Sequence, residues 1–192
     1  MTFPTSPVFQ SVTVTSIDTN LFSEAVSGRT QARKVSGQKW LLKAKYPPMT
    51  KADFMPVFAY VVSKRGRLNT FTVRIPELED ARGTAAGTFL VNGAKSAGVT
   101  VITIDGGTGT IVEGDFIKFA HDKVYMVTAH TESTGNTTSI TVSPPLVDDI
   151  ANNSSITYDN VPIKVRLKND VQAFSMANDS MFRYELDFLE EL

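Results

Sequence analysis

Residues 39–46 read KWLLKAKY, and this stretch sets the interpretation of the rest of the chain. Apolar side chains recur at every second position, which is the period of a strand with one buried face. The apolar face carries Trp40, Leu42, Ala44 and Tyr46, and the other face carries Lys39, Leu41, Lys43 and Lys45. Pro47 and Pro48 end the strand. Trp40 is the only tryptophan, and we expect it to anchor the core.

The residues after the two prolines predict the only helix, over about residues 53–65. One stripe of a helix would carry Phe54, Val57, Phe58, Val61 and Val62. With Asp53 as the N-cap, Pro56 lies in the first turn, where its missing N–H costs little. Gly66 is expected to stop the helix. A second alternating strand follows at Phe71, Val73 and Ile75, and we expect it to pair with the strand at 39–46.

Residues 83–160 differ in composition from their flanks. Gly, Thr, Asn and Val dominate, and short apolar runs recur every 8 to 12 residues or so, as in small β-barrels. The clearest predicted strands are Val99 to Ile104, Phe116 to Phe119, Val124 to Val127 and Ile140 to Val142, with His121, Asp122 and Lys123 as a hairpin turn. This segment is interpreted as an inserted all-β module.

Two strands beyond the insert resemble the flanking ones. Their apolar positions are Val161, Ile163, Val165 and Leu167, and then Phe182, Tyr184, Leu186 and Phe188. The sequence therefore predicts a mainly β protein. A discontinuous β-sandwich-like domain with one helix would span 1–82 and 161–192, and it would carry a small β-barrel-like module at 83–160. The arm from Met1 to Pro7 is expected to be extended and exposed.

Charge is distributed unevenly, although the net charge is only -1. Residues 28–67 contain ten basic side chains and one acid, whereas residues 96–160 contain eight acids and two lysines. A basic stretch of this kind suits nucleic-acid binding, a solvated face or contacts between copies of the chain, and the balancing acids favour the last two. Candidate interface residues are Arg33, Lys34, Lys39, Lys43, Lys45, Arg65 and Arg67.

No catalytic or metal-binding pattern stands out. The chain has no cysteine and only His121 and His130, so disulfides and a Cys/His zinc site are excluded. The run Gly106-Gly107-Thr108-Gly109 lacks the Gly-Lys-Ser/Thr ending and the following helix of a phosphate-binding loop. The paired acids Glu113/Asp115, Asp148-Asp149 and Glu190-Glu191 are interpreted as solvated, and no serine lies in a nucleophile elbow. We expect no enzyme activity, cofactor or metal.

Membrane insertion and secretion have no support in the sequence either. The apolar runs are shorter than the roughly 20 residues that a bilayer span requires. The opening MTFPTSPVFQ lacks the basic and apolar regions of a secretory signal, so synthesis in the cytosol is expected.

The order of several motifs resembles structural proteins of the bacteriophage tail, in the distal tail or tail-tip adaptor group. The resemblance begins with FPTSPVF and continues through SGRTQARKVSGQKWLLKAKYPPMTKADFMPVFAYVVSKRGRLNTFTV. Later pieces are GDFIKF, KVYMV, the SPPL at Ser143 and the final aromatic strand MFRYELDFLEEL. Nearly the whole chain is covered.

The resemblance implies a virion protein without catalytic residues, assembled in the host cytoplasm as a ring, usually hexameric, at the distal end of the tail tube. Its partners would be other copies of itself, the tail tube protein, and hub or fibre proteins, with no membrane and no sequence-specific nucleic acid. Two alternatives remain at this stage. One is a neck or tail-completion protein of the same virion, and the other is a carbohydrate-binding module with Tyr125 and Tyr158 as its aromatic platforms.

Overall fold

The computed structural model describes residues 3–35, 37–131, 137–176 and 180–192. It confirms a mainly β fold with one helix. In chain order the elements are β1 (Ser11–Ile17), β2 (Asn20–Glu24), β3 (Thr30–Lys34), β4 (Lys39–Lys45), α1 (Lys51–Ser63), β5 (Phe71–Val73), β6 (Leu90–Val91), β7 (Val101–Asp105), β8 (Phe116–Lys118), β9 (Val124–Thr131), β10 (Thr137–Ser143), β11 (Ile163–Leu167), β12 (Ser175–Met176), β13 (Phe182–Arg183) and β14 (Glu185–Glu190). No helix in the described ranges is long and apolar enough to cross a membrane.

The first sheet is built from both ends of the chain. Its order is β1-β4-β14-β11-β5, and all neighbours are antiparallel. One face of the sheet packs against α1, and the predicted apolar positions of β4, β11 and β14 are buried there. Antiparallel strands with one buried face explain the clean alternation in these three segments.

The expected pairing of β5 with β4 is wrong. β5 pairs with β11 instead, so β14 and β11 lie between β4 and β5. Three strand spacings of about 4.8 Å separate β4 from β5, and the 13 residues of α1 span about 20 Å. The helix therefore carries the chain across the whole sheet rather than back to the adjacent position.

The helix begins earlier than the sequence predicted. Thr50, not Asp53, is the N-cap, and its hydroxyl accepts the Asp53 N–H at 3.4 Å and donates to Asp53 Oδ2 at 2.7 Å. This arrangement contains the N-cap half of a capping box, but the Asp53 carboxylate accepts from the Thr50 hydroxyl rather than from the Thr50 N–H. Pro56 consequently lies inside the helix. The carbonyl of Ala52, which loses its partner to Pro56, belongs to an exposed residue that water can reach.

The buried face of α1 is also rotated from the expected stripe. Phe54, Val57 and Val61 are buried as predicted, but Tyr60 is buried too, and Val62 is 54% exposed. The helix is apolar on nearly every side, so periodicity alone defined its inner face poorly. Its solvent face is made of Ala52, Met55, Pro56, Ala59 and Val62.

The N-terminal arm is exposed at Thr5 and Ser6, as expected, but Phe3 is partly buried, and Met1 and Thr2 lie outside the described residues. Phe3 packs among aromatic rings of the first core, with centroids 5.5 Å from Tyr60, 5.8 Å from Phe71 and 6.0 Å from Phe188. A large aromatic side chain near a chain end gains more from this burial than from exposure. The arm is therefore held against the first core at Phe3.

The insert forms a second five-stranded antiparallel sheet with its own core. The order is β6-β7-β10-β9-β8. Ser155 bridges Leu90 of β6 and Thr157 bridges Lys118 of β8, so one segment joins both edges of the sheet. The sheet is thereby curled into a half-barrel, which is consistent with the barrel-like module that the sequence predicted, and it encloses a separate apolar cluster.

A hairpin of β2 and β3 was not predicted. The two strands pair from Asn20–Lys34 to Glu24–Thr30, and every residue in them is exposed. Because neither face is buried within the chain, the hairpin has no apolar alternation that would reveal it.

The rotated helix face gives a sharp stability test. Val61→Asp buries a charge without a partner and should cost about 3–5 kcal/mol, because Val61 is fully buried. Val62→Asp introduces the same group at the next position, on the exposed face, and should cost less than about 1 kcal/mol. Urea unfolding followed by circular dichroism measures both. Equal losses would show that the helix face is assigned wrongly.

Candidate assembly surfaces and the junction between the two sheets

The seven candidate interface residues lie in three places rather than in one patch. Lys39, Lys43 and Lys45 project from β4 on the side away from α1. Arg33 and Lys34 lie on β3 of the hairpin, and Arg65 and Arg67 follow the helix. The predicted basic block is continuous in sequence but divided in space.

Much of the positive charge on β4 is balanced by its neighbour β14. Lys43 lies opposite Asp187, and Lys45 lies opposite Glu185 with Nζ 3.2 Å from Oε1. On the other side of β14, Arg166 Nε donates to Glu191 Oε2 at 2.7 Å. This face of the sheet thus alternates basic, acidic and basic strands, an arrangement that favours pairing in register.

The remaining candidate interface residues differ in the contacts that they make within the chain. Lys34 Nζ lies 3.9 Å from Asp18 Oδ1, both largely exposed. The backbone of Arg67 is held by Asp170 Oδ1 and by Arg166 Nη1, at 2.9 and 3.0 Å. The guanidinium groups of Arg33, Arg65 and Arg67 form no ion pair with another described residue. Among the candidate residues outside β4, these three groups are the ones left to meet a partner.

A buried ion pair, which no pattern in the sequence predicted, joins the barrel to the first sheet. Lys123 Nζ lies 2.5 Å from Glu190 Oε2, and both side chains are fully buried. Lys123 also donates to the backbone carbonyl of Gln38 at 3.1 Å and to its Oε1 at 2.6 Å. Burial lowers the pKa of Lys123, and the adjacent Glu190 carboxylate opposes that shift. The expectation that Glu190 is solvated is wrong.

The Glu190 carboxylate also receives two backbone donors. Trp40 N–H reaches Oε2 at 3.1 Å, and Val124 N–H reaches Oε1 at 3.0 Å. The indole N–H of Trp40 donates in turn to the Val124 carbonyl at 3.0 Å. The single tryptophan is therefore buried as predicted, and it also binds the barrel.

A second ion pair lies beside the first. Asp122 accepts from Lys118 at 3.2 Å within the barrel and from Lys164 of β11 at 2.6 Å. These contacts, the Lys164 hydrogen bond above all, lower the pKa of Asp122. Residues 121–123 do connect β8 to β9, as predicted, but this turn inserts two adjacent and opposite charges against the neighbouring strands β11 and β14.

The other polar candidates have structural partners. Asp115 is buried and accepts from the N–H groups of Val112 and Arg82. Glu113 pairs with His130 at 2.8 Å, and Asp149 accepts the Ala97 N–H. Across the described ranges, no three histidine or acidic side chains group as metal ligands.

Packing accounts for the glycine run. A Cβ at Gly107 would lie 2.6 Å from the Phe89 ring, and one at Gly109 would lie 2.0 Å from the Thr84 carbonyl oxygen. The glycines let two barrel segments approach closely, so no phosphate need be invoked to explain them.

The two tyrosines proposed as carbohydrate platforms are core residues. Tyr125 is fully buried, with its hydroxyl accepting the Val147 N–H at 3.0 Å. Tyr158 is 6% exposed and donates to the Gly87 carbonyl. Neither ring face is open to a sugar, so the carbohydrate interpretation loses the residues on which it rested.

Residues 78–161, which are 84 of the 192 residues, match the family model described as the B domain of the distal tail protein pb9. Residues 78–161 are therefore similar to a distal tail protein B domain. The match supports a bacteriophage distal tail protein family, and with it a structural role in the virion tail in association with other tail proteins. No curated protein sequence matches the chain.

The matched residues coincide closely with the predicted insert at 83–160 and contain the whole barrel. Lys123 and Asp122 belong to the B domain, whereas Glu190 and Lys164 lie outside the match. The junction therefore joins the B domain to the sheet formed by the two chain ends.

Removing one charge from this junction should be costly. Glu190→Gln leaves Lys123 buried without a counter-ion and should destabilise the protein by about 3 kcal/mol or more. Adding Lys123→Met should recover part of that loss, because no charge then remains buried. Urea unfolding followed by Trp40 fluorescence reports directly on the junction, since the indole N–H binds Val124.

Glu191→Gln is the matched control for that measurement. Glu191 is partly exposed and pairs with Arg166, so its loss should cost less than about 1 kcal/mol. Similar losses for Glu190→Gln and Glu191→Gln would contradict a dominant role for the buried pair.

Proposed function

We propose that this chain assembles as a ring, with six copies expected, at the distal end of the tail tube. There it links the tube to hub and receptor-binding proteins and performs no catalysis of its own. The observation that carries the proposal is the B-domain match over residues 78–161. Assembly would take place in the host cytoplasm, before the tail is joined to the virion.

The proposed ring-forming part is the discontinuous domain at 1–82 and 161–192, with 83–160 as the inserted B domain. Two observations support this division: each sheet has its own apolar cluster, and the strands of the first sheet come from both flanks. Phe116 and Val124 belong to the first cluster although they lie in the insert. The two domains are therefore proposed to be fused at their junction rather than hinged.

The proposed ring contact includes basic residues that form no ion pair within the chain. Arg65 and Arg67, beyond the end of the helix, would meet acids on a neighbouring copy, whereas Arg33 lies opposite Leu21 on the other face of the hairpin. Asp148 and Asp159 of the B domain are exposed and form no ion pair with another described residue. Two such complementary patches on one chain favour head-to-tail association, which closes a ring when the rotation permits.

The place of the chain in the virion distinguishes a distal tail protein from a neck or tail-completion protein. A short epitope tag inserted at the exposed turn between Gly93 and Ala94, which belongs to neither apolar cluster, leaves both cores and the hairpin intact. Gold-labelled antibody on intact virions should mark the distal tail tip. Label at the junction of head and tail would overturn the proposal in favour of the neck alternative.

Charge reversal on β4 tests whether its lysines act between copies or within one copy. Lys43→Glu with Lys45→Glu places like charges opposite Asp187 and Glu185, which lowers stability modestly. Adding Asp187→Lys and Glu185→Lys restores the cross-strand pairs while leaving the basic positions reversed. We expect the fourfold variant to regain the parent's melting temperature but to incorporate poorly into tails.

Incorporation is read from blots of purified virions, and stability from thermal unfolding of the purified chain. If the fourfold variant incorporates like the parent, Lys43 and Lys45 serve only the fold of their own chain and leave the list of interface residues.

The proposed domain division predicts that residues 78–161 fold alone. The half-barrel is bridged at both edges and contains its own core, so the fragment should unfold cooperatively in a thermal scan. Ile104→Asp in the fragment provides an unfolded reference, because Ile104 is buried in that core. A fragment indistinguishable from this reference would contradict an independently folding B domain.

A further inference from the structure

The solvent face of α1 is an apolar surface. Ala52, Met55, Pro56, Ala59 and Val62, with Ser63 as the one polar member, lie on one side of the helix, opposite the residues that pack on the sheet. Met55 is 39% exposed and Val62 is 54% exposed. Solvent-facing helix surfaces normally carry charged and polar side chains, so an apolar stripe of this length is the mark of a contact surface.

The β2–β3 hairpin is a second apolar surface on the same chain. Phe22 lies opposite Ala32, so the two side chains share one face of the hairpin. Phe22 is 72% exposed, and Val26 at the tip is fully exposed. A two-stranded hairpin with no third strand or helix behind it is marginally stable in water, so this one requires a partner.

We propose that the Phe22 face of the hairpin of one copy packs on the solvent face of α1 of the next copy. The inference rests on the proposed ring and identifies which surfaces close it. The hairpin strands have five residues, about 17 Å in length. The helix has 13 residues, about 20 Å in length, so the two surfaces match in size.

Charge identifies the occupant as another copy of the chain. Glu24 lies on the Phe22 face and forms no ion pair with another described residue. The apolar face of α1 is flanked by Lys51 at its start and by Arg65 beyond its end, both exposed. The basic residue on the same face, Lys34, lies at the base of the hairpin with Nζ 3.9 Å from Asp18 Oδ1, so Glu24 near the tip is the charge left to complement the basic ends of the helix.

The two surfaces are different, so the contact is head-to-tail. Each copy offers its hairpin to one neighbour and its helix to the other, and such a contact forms a ring when the rotation between copies closes, and an open filament when it does not. A symmetric contact, in which two hairpins or two helices meet, would stop at two copies.

Cysteine cross-linking tests the contact directly, because the chain has no cysteine of its own. Ala32→Cys lies on the Phe22 face and Ala59→Cys lies on the helix face, and both sites are exposed. Virions assembled with the double variant are oxidised with copper–phenanthroline, denatured without reductant and blotted. We expect a ladder of covalent species extending well beyond the dimer.

Gln31→Cys with Ala59→Cys is the matched control. Gln31 is the exposed neighbour of Ala32 but belongs to the opposite face of the hairpin, with Leu21 and Arg33. This variant should yield at most a small fraction of dimer. A ladder of equal strength in both variants, dimers alone in the Ala32 variant, or a product with a different tail protein would each overturn the proposal.

The ring itself is tested separately. A lysine-reactive cross-linker applied to parent virions gives a ladder of this chain whichever surfaces touch. A lysine ladder without a cysteine ladder would refute the hairpin contact and leave the ring intact. Absence of both ladders would refute the ring as well.

A second pair of variants tests the same contact without cysteines. Phe22→Asp should lower incorporation into virions at least tenfold, whereas Leu21→Asp, on the other face, should lower it less than twofold. Both residues are exposed, so the thermal stability of the purified chain should be unchanged in each. Equal incorporation of the two variants would overturn the proposal.

Discussion

The architecture depends on a buried carboxylate near the C-terminus. Glu190 binds the ammonium of Lys123 and two backbone N–H groups, one from the first sheet and one from the barrel. A buried ion pair of this kind adds little net stability compared with an apolar core, but any arrangement that separates its two charges leaves one of them buried without a partner, at a cost of about 3–5 kcal/mol. It therefore specifies one arrangement of barrel against sheet. The adjacent pair of Asp122 and Lys164 reinforces that arrangement at the next strand.

Ion pairs between distant strands also explain how a protein of nearly zero net charge can have segments of strongly opposite charge. Lysines of β4 face acids of β14, and Arg166 of β11 faces Glu191. Part of the basic excess in residues 28–67 is thus compensated by the C-terminal strand, far away in sequence. The basic groups that are left without an acidic partner lie on the exposed surface. The apolar faces of the β2–β3 hairpin and of α1 lie there too. For a tail protein that joins other tail proteins, these are the surfaces on which assembly would act.

Local pattern was sufficient for much of the fold. Alternation located β4, β11 and β14 because each has one buried face, and the change in composition at 83–160 coincides with the matched B domain. Features set by tertiary context were missed. The partner of β5 depends on how far α1 reaches. The inner face of α1 is hard to recognise in the sequence because apolar residues occur on nearly every side of the helix. Phe3 packs only because distant residues form an aromatic cluster that it can join. Lys123 and Glu190 each look like solvated surface residues in sequence, and 67 positions separate them.

A cryo-electron microscopy map of isolated tails would test both the ring and the junction. We expect a closed ring of six copies of this chain around the distal end of the tube. In every copy, the B domain should be held against its sheet at Lys123 and Glu190. Density for the chain at the neck, or as single copies without rotational symmetry, would contradict this expectation.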